Sequence, residues 1–196
     1  MSGRRRHARQ RPRSAVSGWY TGNSCMSEVT PVYPTISSEV PYNVRERISR
    51  LMVDCSATID NDALEEWPDF FLEKCLYMVI SRSNYEAGRR AGFIYCDNRN
   101  MLIDRIRSLR SANVYQPHLY RHILSVPRIL STQREMVKTE TSFAVIRTSL
   151  PDGAMTVFSA GRYLDEIFLE GASVRFHSRI AVTDSDTIDM LLAIPI

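Results

Sequence analysis

The second half of the chain alternates apolar and polar residues over long stretches, and this pattern restricts the fold more than any other feature of the sequence. Tight turns are predicted at Pro151-Asp152-Gly153 and at Glu170-Gly171-Ala172. Around them, four segments show the period-two alternation and the β-branched residues of strands: 120–130, 136–150, 154–169 and 174–183. Four strands in this order predict a long antiparallel meander.

The first half of the chain has a helical period instead. Asn43 is placed to cap a helix, Glu46 can complete a capping box, and Asn61 can end the helix. Between Asn43 and Asn61, one apolar stripe recurs at spacings of three and four: Val44, Ile48, Leu51, Met52, Cys55 and Ile59. We therefore predict a first amphipathic helix in this region.

Two further helices are predicted downstream. Asp62 can cap a short helix with Glu65 at the reciprocal position, and Trp67-Pro68 would break that helix. Phe70 and Phe71 then enter the core. The third helix is capped by Asn98 or Asn100, and its apolar stripe comprises Met101, Leu102, Ile106 and Leu109.

Short apolar runs lie between these helices, at 76–80, which we predict to be a strand, and at 92–96. Helices followed by an antiparallel meander are typical of an α+β domain. A strongly curved antiparallel sheet, wrapped around the N-terminal helices, would form a cone with a cavity.

Composition restricts the class of protein. The 196 residues suit one domain plus a tail, and a hydrophobic content of 44% is enough for a core. No stretch approaches eighteen consecutive apolar residues, so we expect no membrane span. A C-x-x-C pair and a secretory signal are both absent, which indicates a cytoplasmic chain with free thiols at Cys25, Cys55, Cys75 and Cys96.

Arginines are concentrated at the N-terminus. Residues 1–25 contain six arginines and no acid, whereas the rest of the chain carries 19 basic and 22 acidic side chains. The tail can be read as a nucleic-acid arm, as an organelle transit peptide, or as an extension upstream of a natural start at Met26. We expect residues 1–40 to be a disordered extension, residues 41–196 to form the domain, and nucleic acid not to be a partner.

Motifs for independent catalysis are missing. The sequence has no P-loop, G-x-G-x-x-G, H-E-x-x-H or G-x-S-x-G. A Rieske cluster needs C-x-H and C-x-x-H pairs, and no cysteine here has a histidine two or three residues later. The sequence therefore predicts no iron–sulfur site in this chain.

His118 and His122, with Asp104 upstream, have the residue types of a two-histidine, one-carboxylate iron site. The segment reads as a loop entering a strand, where residues four apart lie roughly 13 Å apart, too far to share one metal. We therefore expect no metal site, a structural hydrogen-bonded role for His122 and an exposed position for His177 on a sheet edge.

A cone-shaped α+β domain can also be an enzyme in its own right. Small isomerases and dehydratases of the nuclear-transport-factor-2-like (NTF2-like) type hold an acid or base inside the cone. Asp104 and His122 would be the catalytic pair of such an enzyme, with Tyr77 and Tyr163 as further candidates. This alternative stays open at the level of sequence.

Seven runs of residues, none specific alone, have an order and spacing that resemble one family: 58–68, 101–106 with 112–115, 120–124, 158–165, 184–185 and 191–196. Residues 48–196 resemble the beta (small) subunits of aromatic-ring-hydroxylating dioxygenases. Within that family, the likeness is greatest to the small subunits of terephthalate-, anthranilate- and salicylate-type oxygenases, the terephthalate type first.

The resemblance implies a non-catalytic role. In this family the alpha subunit carries a Rieske [2Fe–2S] cluster and a mononuclear Fe(II), and NADH supplies electrons through a reductase. The beta subunit has a cystatin- or NTF2-like cone fold and holds alpha subunits, beside other beta subunits, in an α3β3 hexamer. The resemblance therefore implies that this chain supplies no metal ligand, no cofactor site and no acid or base.

Such a subunit needs interface anchors. Aromatic residues and arginine are enriched at the centres of protein interfaces. On this basis the sequence offers five interface candidates: Trp67, Tyr115, Tyr120, Arg121 and Arg162.

Overall fold

The computed structural model describes residues 40–112, 116–188, 192 and 194–196, which all fall within one compact unit. These residues form three α-helices and seven strands. The helices are α1 (Tyr42–Asp60), α2 (Arg82–Glu86) and α3 (Arg99–Ser111). The strands are β1 (Phe71–Ser81), β2 (Ile94–Cys96), β3 (His118–Leu124), β4 (Arg128–Gln133), β5 (Met136–Ser149), β6 (Met155–Glu170) and β7 (Ser173–Thr183). The predicted extension, residues 1–40, lies outside the described residues except for Val40, and so stays a prediction.

Helix α1 ends at Asp60, before Asn61 as predicted, and it buries the predicted stripe from Ile48 to Ile59. Its predicted capping box is wrong. The N-cap is Pro41, two residues before Asn43, and its carbonyl accepts hydrogen bonds from the N–H groups of Val44 (3.0 Å) and Arg45 (3.2 Å). Asn43 therefore lies inside the first turn, where its side chain cannot act as the cap.

The predicted second helix is also wrong. Asp62 takes the left-handed conformation (φ 59°), and turns lead from it into a short 3-10 helix at Trp67–Phe70. The physical reason is that Arg110 competes with the main chain for the carboxylates of Asp62 and Glu65, which a capping box would need. Arg110 on α3 binds the Asp62 and Glu65 carboxylates at 2.9 and 2.8 Å, so these side chains hold α3. Helix α3 forms where predicted, and the Asn98 side chain accepts from the N–H of Met101 at 3.0 Å. Leu102, Ile106 and Leu109 of its predicted stripe are buried, but Met101 is exposed.

One seven-stranded sheet contains all of the described strands, in the order β2-β1-β7-β6-β5-β3, with β4 also paired to β5. The predicted antiparallel meander is confirmed in β5, β6 and β7. The strand predicted at 120–130 is divided into β3 and β4, because Pro127 cannot donate to the ladder. One pair differs from the predicted antiparallel sheet: β1 lies parallel to β7.

Register shifts bend this sheet. They occur in the β4–β5, β5–β6, β6–β7 and β1–β7 ladders. Each such irregularity increases local twist and curvature. The concave inner face of the sheet packs on α1, α3 and the 3-10 helix, and this is where the main core lies. The predicted α+β class is thus confirmed as a curved, unclosed sheet with few helices.

The outer face of β1 and β7 has a small core of its own. Met78, Ile80 and Val182 are buried there, and Tyr85 of α2 packs against them. Helix α2 was not predicted; it begins at Arg82, and the hydroxyl of its N-cap residue Ser81 accepts from the N–H of Asn84 at 3.4 Å. His177 lies on β7, between β1 and β6, and is half-buried, so its predicted place on a sheet edge is wrong.

Candidate functional site: a filled interior and an open sheet face

A row of buried side chains crosses the inner face of five strands. Thr139 on β5 pairs with Asp165 on β6, and Asp165 pairs with Arg179 on β7. The register continues through Tyr77 on β1 to Cys96 on β2. All five residues are buried. In an NTF2-like enzyme this interior would be the place for a substrate, so its contents decide what the chain can do.

Arg179 is the middle residue of this row, and its long side chain is buried. Its Nε and Nη2 lie 2.9 and 3.2 Å from the two Asp165 carboxylate oxygens. Its guanidinium also lies over the rings of Tyr163 and Phe176, 4.4 and 3.9 Å from their centroids. Burial raises the pKa of Asp165, and Arg179 opposes that rise. The charge at the centre of the fold is therefore paired within the chain.

Both tyrosines considered as acid–base groups are locked in the same interior. The Tyr77 hydroxyl donates to the main-chain oxygen of Ile196 at 2.9 Å and accepts from its N–H at 3.1 Å. Tyr163 stacks on Phe143 with ring centroids 4.3 Å apart. Burial raises the pKa of each phenol well above its ordinary value. Neither hydroxyl is arranged to release a proton near neutral pH.

Asp104 and His122 have separate partners. Asp104 is exposed on α3 and lies 3.4 Å from Arg107. His122 is buried, with Nδ1 at 2.6 Å from Asp60 Oδ1, and its main-chain N–H donates to Asp60 Oδ2 at 2.9 Å. The structural, hydrogen-bonded role predicted for His122 is confirmed. Nothing in this arrangement makes Asp104 and His122 an acid–base pair.

Metal-binding residue types are dispersed. His118 Nδ1 lies 2.7 Å from the main-chain oxygen of Gln116, and His122 is held by Asp60. Cys55, Cys75 and Cys96 are buried free thiols, and burial raises the pKa of Cys55 and of Cys75 to about 11. Across the described ranges, no three His, Cys, Asp or Glu side chains group closely enough to hold a metal ion. These residues therefore do not fit a Rieske cluster or a mononuclear iron.

Two of the aromatic interface candidates lie in the core of this chain. Trp67 is 1% exposed and makes edge-to-face contacts with Phe71 and Tyr77, at centroid distances of 5.3 and 4.9 Å. Tyr120 is 4% exposed and stacks on Phe158 at 5.1 Å. Both side chains are used within the chain and are not available as surface anchors. Tyr115 lies outside the described residues.

The two arginine candidates are accessible. The Arg121 side chain on β3 is 69% exposed, with Nη1 at 3.8 Å from Asp60 Oδ2. The Arg162 side chain on β6 is partly exposed and lies 3.9 Å from Glu140 Oε2. Their role in an interface stays a prediction.

An apolar surface surrounds Arg121. Arg121 pairs with Ile146 on β5, which pairs with Val157 on β6, and the adjacent row runs from Leu119 to Met155. Leu119, Ile123, Met155 and Val157 are 50, 54, 73 and 70% exposed. We call this surface the open face and define it by Leu119, Arg121, Ile123, Ile146, Met155 and Val157.

Sequence reasoning missed the open face, although a signal for it exists. Leu119 and Ile123 alternate with the inward residues Tyr120 and His122, so β3 carries apolar side chains on both of its faces. A strand exposed to water on one side normally has polar residues there. Only the pairing of three strands, however, brings the apolar residues together into one surface.

Comparison with known proteins identifies the family. Residues 56–190 match the sequence profile of the family described as "Ring hydroxylating beta subunit". The chain belongs to this family. The resemblance seen in the sequence is therefore confirmed, and the comparisons favour it over the isomerase alternative.

Relatives of this beta subunit are components of ring-hydroxylating dioxygenases. It is 42% identical over 139 residues to the terephthalate 1,2-dioxygenase terminal oxygenase component subunit beta 2 of Comamonas sp., a match covering 71% of this chain and 90% of the relative. It is 36% identical over 138 residues to the anthranilate 1,2-dioxygenase small subunit of Burkholderia cepacia, covering 70% of this chain and 85% of the relative.

Solved structures agree with the fold of this beta subunit. A crystal structure assigned as the beta subunit of an aromatic-ring-hydroxylating dioxygenase from Novosphingobium aromaticivorans superposes with a TM-score of 0.73 at 36% identity, covering 79% of this chain and 97% of that one. The benzoate 1,2-dioxygenase beta subunit of Burkholderia mallei gives 0.57 at 16% identity, covering 69% and 87%, and supports the fold alone. No helix of the described residues is long and apolar enough to cross a membrane.

Proposed function

We propose that this chain is the non-catalytic small subunit of the terminal oxygenase of a Rieske-type aromatic-ring-hydroxylating dioxygenase, of the terephthalate 1,2-dioxygenase type. Its role is to support the assembly of an iron-containing alpha subunit in the catabolism of aromatic compounds. The observation that carries the proposal is the 42% identity with the Comamonas beta 2 subunit, which extends over 90% of that protein. The filled interior around Arg179 supports the absence of an acid–base role.

The proposed cofactors belong to the alpha subunit. A Rieske [2Fe–2S] cluster and a mononuclear Fe(II) would lie there, with electrons arriving from NADH through a reductase. Support comes from the thiols and imidazoles of the described residues, which are dispersed and individually engaged. This chain would then influence the iron sites only by positioning the alpha subunit.

The proposed assembly is an α3β3 hexamer in the cytoplasm, without nucleic acid as a partner. Closed cyclic symmetry is the common solution for repeated subunits of this kind. The free thiols of Cys55, Cys75 and Cys96 suit a reducing compartment. Arg121 and Arg162 stay in the proposed interface set, since both are accessible to a partner.

Co-expression tests this proposal. The full chain would be expressed with a large subunit, encoded nearby, whose sequence carries C-x-H and C-x-x-H. The expected product is a particle of hexamer mass that contains iron and oxidises an aromatic carboxylate with NADH and reductase. Asp104→Asn, at an exposed site, should leave iron content and turnover unchanged. A chain that stays apart from the large subunit would overturn the proposal.

A further inference from the structure

A cleft of about 610 Å³ lies between α1, the 3-10 helix and the turn that joins β6 to β7. Its lining combines arginines with apolar side chains: Arg47, Arg50, Arg175, Leu51, Phe70 and Val174. Small-molecule sites usually have volumes of roughly 300–1,000 Å³, so this cleft is large enough to hold a ligand. The function proposed above makes no use of it.

Arg47 builds one wall of the cleft. Its Nη2 donates to the main-chain oxygens of Gly171 and Ser173 at 2.7 and 3.0 Å, which fixes the β6–β7 turn against α1. Arg175 Nε donates to the Ser173 hydroxyl at 3.3 Å. Arg50 follows Arg47 by three residues on α1, so both lie on the same side of that helix. The fold therefore brings three guanidinium groups to one cleft.

The positive charges of Arg47, Arg50 and Arg175 are not neutralised by ion pairs. None of the three forms an ion pair with a carboxylate of the described residues, and the carbonyl and hydroxyl oxygens that bind two of them carry no net charge. Several arginines elsewhere do have carboxylate partners, for example Arg110 and Arg128. Arginines without such a partner thus meet in this cleft.

Two carboxylates, those of Asp54 and Asp69, also line the cleft. Asp69 lies 3.9 Å from Arg99, which is not among the lining residues, and Asp54 is exposed on α1. Three arginines against two carboxylates leave one positive charge in excess (3 − 2 = 1), and Arg99 adds to this excess. The cleft therefore favours an anion.

Apolar side chains next to these cations restrict the class of anion. Leu51 is buried, and Phe70 and Val174 are half-buried, so the lining offers an apolar surface to a ligand. A guanidinium group matches the geometry of a carboxylate and forms charge-assisted hydrogen bonds with it. An inorganic anion would leave the apolar surface unused.

We propose that this cleft binds a small organic carboxylate with an apolar body. The arginines bind the carboxylate group, and Leu51, Phe70 and Val174 contact the body. Arg47 also positions the β6–β7 turn, so Arg50 and Arg175 are the residues that serve the ligand alone. All of the lining residues belong to this chain, and binding therefore needs no large subunit.

NMR titration of the full chain without the large subunit tests the proposal, with phenylacetate and octanoate as probes. Main-chain amide signals of residues 47–54 and 171–175 should shift. Arg50→Gln should weaken binding by about fivefold or more, the effect of losing one charge-assisted hydrogen bond. The matched control is Arg134→Gln, which removes the same charge at an exposed turn outside the cleft. Thermal unfolding should be unchanged in both variants, because each side chain is exposed and has no ion pair among the described residues.

Matched ligands separate the two parts of the proposal. Acetate and inorganic phosphate lack the apolar body, and phenylacetamide replaces the carboxylate by a neutral amide, so all three should bind more weakly than phenylacetate. Equal binding by any of them would overturn the proposal. Unshifted amides at the cleft, or equal affinity of Arg50→Gln and Arg134→Gln, would overturn it as well. Tighter binding of either phenylacetate or octanoate supports it and identifies the preferred body as aromatic or aliphatic.

Discussion

Asp165 and Arg179 form a two-point ion pair in the interior of the fold, from adjacent positions on β6 and β7. Removing two charges from water is costly, and their attraction offsets that cost only while both are present. The rings of Tyr163 and Phe176 hold the guanidinium on its faces. The pair therefore makes the interior intolerant of losing either charge.

Substitution of Arg179 should measure this intolerance. Arg179→Met leaves the Asp165 carboxylate buried without its partner, and we expect the free energy of unfolding to fall by about 3–5 kcal/mol. The double variant Asp165→Leu/Arg179→Met should recover a large part of that loss. Urea unfolding at neutral pH gives the comparison, with Arg175→Met on the same strand as control. Equal destabilisation of the single and double variants would show that packing, not charge, dominates.

Two buried tyrosines should respond in opposite ways to removal of their hydroxyl group. Tyr77→Phe removes both hydrogen bonds to Ile196, so we expect the free energy of unfolding to fall by about 1–3 kcal/mol. Tyr163→Phe removes a buried hydroxyl that has no hydrogen-bond partner among the described residues, so this change should be neutral or stabilising. Differential scanning calorimetry of the two variants tests both expectations. A lower melting temperature for Tyr163→Phe would contradict the conclusion that the Tyr163 hydroxyl has no hydrogen-bond partner among the described residues.

The end of α1 is predicted to stabilise the edge strand β3. Asp60 accepts hydrogen bonds from the main chain of His122 and faces its ring, so Asp60→Ala leaves two buried donors unmatched. We expect a loss of about 1–3 kcal/mol in the free energy of unfolding, and faster hydrogen exchange at the His122 amide. Asp54→Ala, exposed on the same helix, is the matched control. Unchanged exchange in Asp60→Ala would disprove the contact.

The Arg110 cluster should give an acid-dependent contribution to stability. The hydrogen bond from Arg110 holds the pKa of Glu65 below its ordinary value of 4.5, so the folded protein binds that proton less tightly than the unfolded chain does. The resulting stability is present above pH 4.5 and is lost as the pH falls below it. These side chains are partly exposed, so Arg110→Gln should cost only about 0.5–1 kcal/mol at neutral pH.

Urea unfolding of the wild type and of Arg110→Gln between pH 3 and pH 7 tests this prediction. The difference in the free energy of unfolding between the two proteins should become smaller as the pH falls. Arg107→Gln, on the same helix, controls for helix propensity. If the difference in the free energy of unfolding is the same from pH 3 to pH 7, Glu65 is not the group whose titration weakens the contact with Arg110.

The sequence predicted the elements that depend on local periodicity. The apolar stripe of α1 and the alternation in β5, β6 and β7 each bury one face, and both appear in the structure where expected. The prediction of a second helix failed because a distant residue competes for its capping side chains. Asp62 and Glu65 had the spacing of a capping box, but the guanidinium of Arg110, far away in sequence, binds both.

The functional surface was harder to predict for a related reason. Residue type indicated Trp67 and Tyr120 as anchors, yet each is the kind of large aromatic that a core also requires. Which of the two roles applies depends on the side of the sheet to which the residue points. The open face becomes visible only once the register joins Arg121, Ile146 and Val157 across three strands.

The parallel pairing of β1 with β7 has a consequence for how the protein is made. Phe71 of β1 pairs with Phe176 of β7. When β1 has been synthesised, more than half of the domain, including β7, is still to be translated. At ordinary translation rates that delay is on the order of ten seconds, during which one side of β1 has no strand beside it. Pairing between such distant residues also places the chain among slower folders. The subunit can therefore join an assembly only after β7 has left the ribosome.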